Sequence, residues 1–229
     1  MTKKNKITSQ EYWQKNIQGF SGFYDRTSEE ALQGPSFLTS AYKTIIFPLE
    51  KKYMQQRFNM VSTYIARYTR AGMSIADIGC GCGIYSKQAA SLRAKVYALD
   101  FVDNALTLTK ANLTADELKR VQFSKMDITR QAIPKVDMAI AIGVLTYIDK
   151  LGSFLDNILP YTDLFLFNFL DAESWLNIVR KKMPVLDVRG YYYFSVSDVR
   201  QELAARNFEI VDIQKLATGF MVQSKRIRK

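Results

Sequence analysis

The sequence predicts a doubly wound α/β fold with a mostly parallel sheet of seven strands. Three observations carry that expectation. Short apolar runs of strand length alternate with amphipathic segments from about residue 72 onward. One of the first runs ends in a loop with glycine on alternate positions, Gly79-Cys80-Gly81-Cys82-Gly83. The last two runs, Phe208 to Leu216 and Ala217 to Ser224, follow each other with almost nothing between, as an antiparallel pair at a sheet edge requires.

Taken in order, residues 10 to 70 carry aromatic and aliphatic residues at helical intervals. The pattern breaks at Gly34-Pro35 and again at Phe47-Pro48, where proline suits a first helical turn. The final helix of this extension is expected from about Leu49 to Thr69. Strands are expected at Ser74 to Ile78, Lys95 to Leu99, Val121 to Met126, Val136 to Ile142 and Leu164 to Phe169, with helices between them. Strand and helix at this spacing imply right-handed crossovers and a sheet covered on both faces. Ser195 followed by Asp198 is a capping-box-like helix start, with Val199 and Leu203 one turn apart on its inner side. The whole chain reads as one domain. Residues 1–70 form a helical extension or lid, 71–229 the core, and about 171–194 an insertion suited to substrate.

Composition narrows the chemistry. The chain of 229 residues is 48% hydrophobic, enough for one substantial core. It contains no histidine, which excludes Ser-His and Cys-His hydrolysis and histidine-ligated zinc chemistry. Its two cysteines stand two positions apart, where a bridge would be strained, and with no further cysteine they cannot complete a metal site. No metal is therefore expected, and a reducing, cytoplasmic setting fits. The first ten residues are basic and polar with no apolar run behind them, and no stretch reaches the ~20 apolar residues of a membrane span. A net charge of +10 attracts anionic partners, although much of the excess lies at the two ends, at Lys3, Lys4, Lys6, Lys225, Arg226, Arg228 and Lys229.

The segment Ile75-Ala76-Asp77-Ile78-Gly79-Cys80-Gly81-Cys82-Gly83-Ile84-Tyr85 is a strand, a glycine turn and a helix start. Such a turn lets a ligand approach the backbone with no Cβ in the way. A dinucleotide site of the G-x-G-x-x-G kind needs glycine at position 84, where Ile84 stands. The segment instead resembles motif I of the class I S-adenosylmethionine-dependent methyltransferases, an acidic residue followed by G-x-G-x-G. That resemblance covers roughly residues 60 to 224 and implies a Rossmann-like fold and S-adenosylmethionine as cofactor. It assigns Asp77, Gly79, Cys80, Gly81 and Gly83 to the cofactor.

Further along, Val96-Tyr97-Ala98-Leu99-Asp100 is a strand ending in a carboxylate 17 positions after Gly83, where it can accept both ribose hydroxyls of a nucleoside. Phe101 beside it suits an adenine contact. Phe123 to Ile128 resembles the family segment whose acidic residue bonds the adenine amino group, which places Asp127 there with Met126 and Ile128 flanking the ring. Ala141 to Ile148 resembles the segment after strand four and adds Gly143. Thr146 and Tyr147 stand where Glu and His are common in small-molecule enzymes of this family, so histidine-based proton transfer is out of reach. Gly22-Phe23-Tyr24-Asp25-Arg26 resembles the family segment that folds over the cofactor, which makes Tyr24 the lid candidate.

No catalytic side chain is assigned. Methyl transfer from a sulfonium needs alignment and exclusion of water, not a covalent protein intermediate. Tyr147, Trp175, Arg189 and Tyr192 are the acceptor candidates, a mixture suited to a flat or anionic small molecule. The stretch Arg189 to Lys229, through Tyr191 to Phe194, Ser197-Asp198-Val199, Asn207 to Ile210 and Thr218-Gly219-Phe220, resembles the carboxy-terminal end of magnesium-protoporphyrin methyltransferases. The expected function is methylation of a small acidic or hydroxylated acceptor, at oxygen before nitrogen or carbon. Two alternatives stay open: methylation of RNA, which the charge favours but the absence of an N-P-P-Y-like tetrapeptide and of a cysteine outside the loop opposes, and a catalytically silent subunit. Oligomeric state is not legible.

Overall fold

The computed structural model describes residues 13–14, 47–182 and 191–228. A long helix α1 (Phe47–Tyr68) leads into β1 (Ser74–Ile78), α2 (Ile84–Ser91), β2 (Lys95–Asp100), α3 (Asp103–Ala111), a single turn α4 (Ala115–Leu118), β3 (Val121–Lys125) and β4 (Met138–Ala141). A short 3-10 turn (Leu145–Tyr147), α5 (Leu151–Asp156) and a second 3-10 turn (Leu159–Tyr161) precede β5 (Leu164–Leu170). The chain closes with α6 (Trp175–Lys182), α7 (Val196–Ala204), β6 (Phe208–Leu216) and β7 (Gly219–Arg226).

The strands form one seven-stranded sheet in the order β3-β2-β1-β4-β5-β7-β6. The first five run parallel, and β7 enters antiparallel between β5 and β6. Crossovers from β1 proceed outward through β2 and β3 on one side and through β4 and β5 on the other. The neighbouring carboxyl ends of β1 and β4 therefore flank the point where the winding reverses, the place where open sheets of this kind accept ligands.

The strand β5 shows why the sheet is central. Its sequence LFLFNFL is a nearly unbroken apolar run because both faces are covered. Phe165, Phe167 and Phe169 point to the layer built from α5 and α7, with the rings of Phe165 and Phe167 stacked at 4.6 Å. Leu166 points the other way, into the layer built from α1 and α2 around Val61, Ile65, Ala89 and Ala90. Two caps set helix ends as the sequence indicates: Ser195 Oγ accepts from Asp198 N at 3.0 Å while Asp198 Oδ2 accepts from Ser195 N at 3.0 Å. Thr114 and Glu117 form the same box at α4.

The expected strands all form; β2, β3 and β5 end one residue from the expected bound, and two boundaries move further. The fourth covers Met138–Ala141 and not Val136 to Ile142, because Val136 N–H donates to Tyr161 O and Gly143 turns into a left-handed conformation just beyond. The last begins at Gly219, since Ala217 and Thr218 make the two-residue turn of the β6–β7 hairpin, and it runs on to Arg226. Within the amino-terminal extension, α1 starts and stops within two residues of the expected span.

Gly219 faces Leu170 across β5 and β7, and a Cβ there would stand 1.9 Å from the carbonyl oxygen of Phe169. That neighbour is backbone in the middle of the sheet and cannot step aside. Gly219→Ala should therefore cost about 2 kcal/mol or more of unfolding free energy, read from the urea midpoint, because the two strands must separate to admit the methyl group. An unchanged midpoint would mean the hairpin can shift freely against β5.

Candidate functional site

The loop after β1 stays attached to the sheet for two residues past the strand, since Gly79 N–H and Cys80 N–H both donate to Leu99 O, at 2.7 and 3.1 Å. It then turns with Gly79, Gly81 and Gly83 all at positive φ, 66°, 58° and 77°. A side chain at any of these is strained by the backbone alone. Space adds to the demand: a Cβ on Gly79 would lie 2.6 Å from Val144 Cγ2, and one on Gly83 would lie 2.5 Å from Thr109 Cγ2.

Polar side chains hold the loop from three directions. Below it, Ser86 Oγ at the start of α2 donates to Asp77 Oδ2 at 2.6 Å. From α3, Thr109 Oγ1 donates to Gly81 O at 3.0 Å and lies 3.4 Å from Cys80 Sγ, while Asn112 Nδ2 donates to Cys82 O at 2.9 Å. From β2, the carboxylate of Asp100 accepts Gly81 N–H at 3.0 Å and Val102 N–H at 2.9 Å. Cys80 is buried, and its burial, aided by the charges of Asp77 and Asp100, pushes the thiol well above its ordinary pKa. Its side chain fills the space between the loop and Thr109.

On the β4 side, Gly143 adopts φ 77°, and its N–H donates to the buried Asn168 Oδ1 of β5 at 2.6 Å. The guanidinium of Arg57, a buried residue of α1, approaches the same glycine: a Cβ there would stand 3.6 Å from Arg57 Nη1. Tyr147, just beyond, meets Trp13 edge-on at 5.9 Å and Tyr191 at 5.8 Å. Trp13 also packs with Phe101, Val102 and Ala105, and Asn104 Nδ2 donates to Gln14 O at 2.8 Å. One tryptophan thus reaches from the end of β2 to the end of β4 across the carboxyl edge of the sheet.

The structure brings Asp77, Gly79, Cys80, Gly81, Gly83, Asp100, Phe101, Gly143 and Tyr147 to that edge. Met126 and Ile128 pack against the core beside them, and Met126 N–H donates to Asp100 O at 2.8 Å. Asp127 is turned to local work: its Oδ1 accepts from Thr129 N and Oγ1 at 3.0 and 2.6 Å, and its Oδ2 is 3.5 Å from Arg130. Tyr192 is held by its own N–H to Thr146 O at 3.0 Å, while Trp175 projects outward from α6, 70% exposed. Tyr24 and Arg189 lie outside the described residues.

Sequence reasoning missed Ser86, Thr109, Asn112, Asn168, Arg57 and Trp13. Two of these carried a signal. Asn168 interrupts an otherwise apolar strand, and Arg57 falls on the inward stripe of α1 formed by Met54, Val61, Tyr64 and Ile65. The others become visible only when α3 and the loop are neighbours.

Asp77 and Asp100 are both buried, and burial raises both carboxyls. Backbone donors from Gly81, Val102 and Phe101 oppose the rise at Asp100. At Asp77 desolvation outweighs the Ser86 bond and is reinforced by the Asp100 charge, taking it from 3.8 to about 6. The folded state then binds a proton that the unfolded chain has released between those two values, so stability falls as pH rises from about 4 to about 6. Holding the ionised group at neutral pH costs about 3 kcal/mol. Asp77→Asn, which keeps an acceptor for Ser86, should stabilise the unliganded protein by about 1–3 kcal/mol at pH 7.5 in urea unfolding and flatten that part of the pH profile. A destabilised variant with an unchanged profile would overturn this account.

Comparison with known proteins places this geometry. Residues 69–178 match a family described as a methyltransferase domain. The chain is 30% identical over 139 residues to a ribosomal protein L11 methyltransferase of Lactobacillus gasseri, covering 60% of this chain and 38% of that protein. It is 29% identical over 119 residues to one of Thermoanaerobacter pseudethanolicus, covering 50% and 39%. The chain thus spans under two fifths of the length of these curated relatives. Among solved structures, the magnesium protoporphyrin IX methyltransferase of Synechocystis PCC 6803 with bound SAH superposes with a TM-score of 0.72 at 17% identity, over 95% of this chain and 97% of that one. The cyclase SpnF superposes at 0.59 with 15% identity, over 76% and 83%. These likenesses concern the fold.

Proposed function

We propose that residues 69–178, which match a methyltransferase-domain family, are a class I S-adenosylmethionine-dependent methyltransferase domain, and that the chain methylates an oxygen of a small acidic or hydroxylated acceptor. The observation that carries the cofactor's place is the loop itself: three left-handed glycines beside two buried carboxylates, with Gly79 and Gly83 packed so closely on Val144 and Thr109 that neither admits a Cβ.

In this reading the backbone of Gly79, Cys80, Gly81 and Gly83 lies against the methionine part of the cofactor, and Asp77 fixes the loop from beneath. Arg57, close to Gly143, supplies a cation for the cofactor's carboxylate. Asp100 keeps its backbone donors and accepts the ribose hydroxyls on its remaining lone pairs, and Phe101, Met126, Asp127 and Ile128 surround the adenine. Bound S-adenosylmethionine supplies an electrophilic methyl group on a positively charged sulfur. The remaining task belongs to the chain: Trp13, Tyr147 and Tyr191 line an aromatic edge that excludes water and aligns a flat acceptor. An acceptor carboxylate arrives ionised and needs no base, which suits a chain without histidine.

A protein acceptor is the second reading, favoured by the names of the ribosomal protein L11 methyltransferases to which the chain is similar. The two separate in one experiment. Purified protein with methyl-labelled cofactor is offered a cell extract divided into small molecules, protein and RNA; label in the small-molecule fraction supports the first reading. Label in protein or RNA reassigns the acceptor. Calorimetric binding of S-adenosylhomocysteine without transfer to any fraction would leave a silent subunit.

Asp100→Ala should weaken S-adenosylhomocysteine binding by about 1–3 kcal/mol in the same calorimeter, the usual cost of unpaired buried hydroxyl partners. Unaltered affinity in a folded variant would remove Asp100 from the site. In Trp175→Phe protein the sole remaining tryptophan is Trp13, whose emission should change on adding the cofactor product if it spans the edge as described. A silent Trp13 alongside calorimetric binding would place it away from the ligand.

A further inference from the structure

Helix α6 is fastened to the fold by a polar residue and turns its apolar residues outward. Asn177 is fully buried, and its Nδ2 donates to Asp171 O and Thr218 O, both at 2.7 Å. Trp175, Leu176, Ile178 and Val179 are 70%, 38%, 42% and 41% exposed. At 3.6 residues per turn these four occupy an arc of about 160° on the side opposite Asn177. A helix that covers a core has the reverse polarity. Elsewhere among the described residues, exposed large apolar side chains such as Leu92, Tyr161 and Val211 occur singly along the sequence and need no partner to explain them.

We propose that α6 is a docking face for an anionic lipid surface. The apolar arc carries a tryptophan, the side chain that settles best at the boundary between headgroups and acyl chains. Lys181 and Lys182 are exposed at the end of the same helix, and the chain bears ten excess positive charges, so the face that would enter the bilayer is accompanied by the charge that anionic headgroups attract. Lys181 Nζ sits 4.5 Å from the centre of the Tyr193 ring at the flank of the helix, and Lys182 follows it in line with the apolar arc, so the charge borders the face as an anionic headgroup layer requires. Among the described residues no helix is long and apolar enough to cross a membrane, so α6 lies in the plane of the surface.

The placement has a consequence for the site. α6 leaves the carboxyl end of β5, which is parallel to β4, so it rises from the same edge of the sheet as Gly143 and the glycine loop. A surface bound by α6 is therefore presented to the mouth of that edge, where an acidic or hydroxylated acceptor held at the bilayer surface can be reached. The docking itself rests on exposure and charge and not on the methyl-transfer reading.

The test is co-sedimentation of the full chain with vesicles of phosphatidylcholine alone and of equal parts phosphatidylcholine and phosphatidylglycerol. Trp13→Phe protein serves in parallel, so that Trp175 reports its own surroundings. Binding to the anionic vesicles, a blue shift of Trp175 and a loss of binding in about 0.5 M salt are expected. The double variant Ile178→Asp, Val179→Asp changes only exposed side chains and should lower the bound-to-free ratio about tenfold or more, and Lys182→Glu should lower it several-fold. No binding to anionic vesicles, or equal binding by the aspartate variant, overturns the proposal. A concentration-dependent dimer in gel filtration that the aspartate variant dissolves would overturn it in favour of a second copy of this chain.

Discussion

Everything at the carboxyl edge depends on one constraint: the backbone between Ile78 and Ile84 must turn through three left-handed residues while remaining bonded to the sheet. Glycine meets the first demand, and the bonds from Gly79 and Cys80 to Leu99 meet the second. A turn this tight leaves peptide groups facing inward, and the structure answers each with a side chain. Asp100 accepts from Gly81, Thr109 donates to Gly81, and Asn112 donates to Cys82. The loop is therefore a fixed object, prepared before any ligand arrives, and a ligand that binds it meets little cost of ordering.

That preparation places two carboxylates under cover, which opposes stability. Asp77 is anchored by the hydroxyl and the backbone N–H of Ser86 and repelled by Asp100, whereas Asp100 has three backbone donors. The two carboxylates are thus held unequally: Asp77 lies beneath the loop with a raised pKa, and Asp100 closes it from β2.

The fold was legible because both of its periodicities were plain. Strands such as Leu164–Leu170 are apolar throughout, as two covered faces require, and the helices between them carry one inward stripe. The glycine loop and Asp100 were legible for a different reason: a run of glycines on alternate positions and an acidic residue at a strand end are local patterns. What escaped was whatever depends on two distant segments meeting. Thr109 reads as an ordinary helical residue until α3 lies along the loop, and Trp13 reads as part of a helical extension until it bridges Phe101 and Tyr147. The same kind of local pattern marks Asp127, whose bonds to Thr129 and Arg130 were not legible with it. Arg57 and Asn168, polar residues inside apolar patterns, were visible as exceptions and mark the β4 side as the glycines mark the β1 side.

The register shift between Ile210 and Asp212 has a consequence for the molecule's boundary. β6 is the last strand of the sheet, so its outer backbone donors and acceptors offer a template to any extended peptide. The bulge puts one additional residue into that strand, turning Val211 outward and breaking the even spacing a newcomer would need to match. The sheet is thereby given a terminus as well as an edge, since a bulged outer strand is a poor template for an eighth.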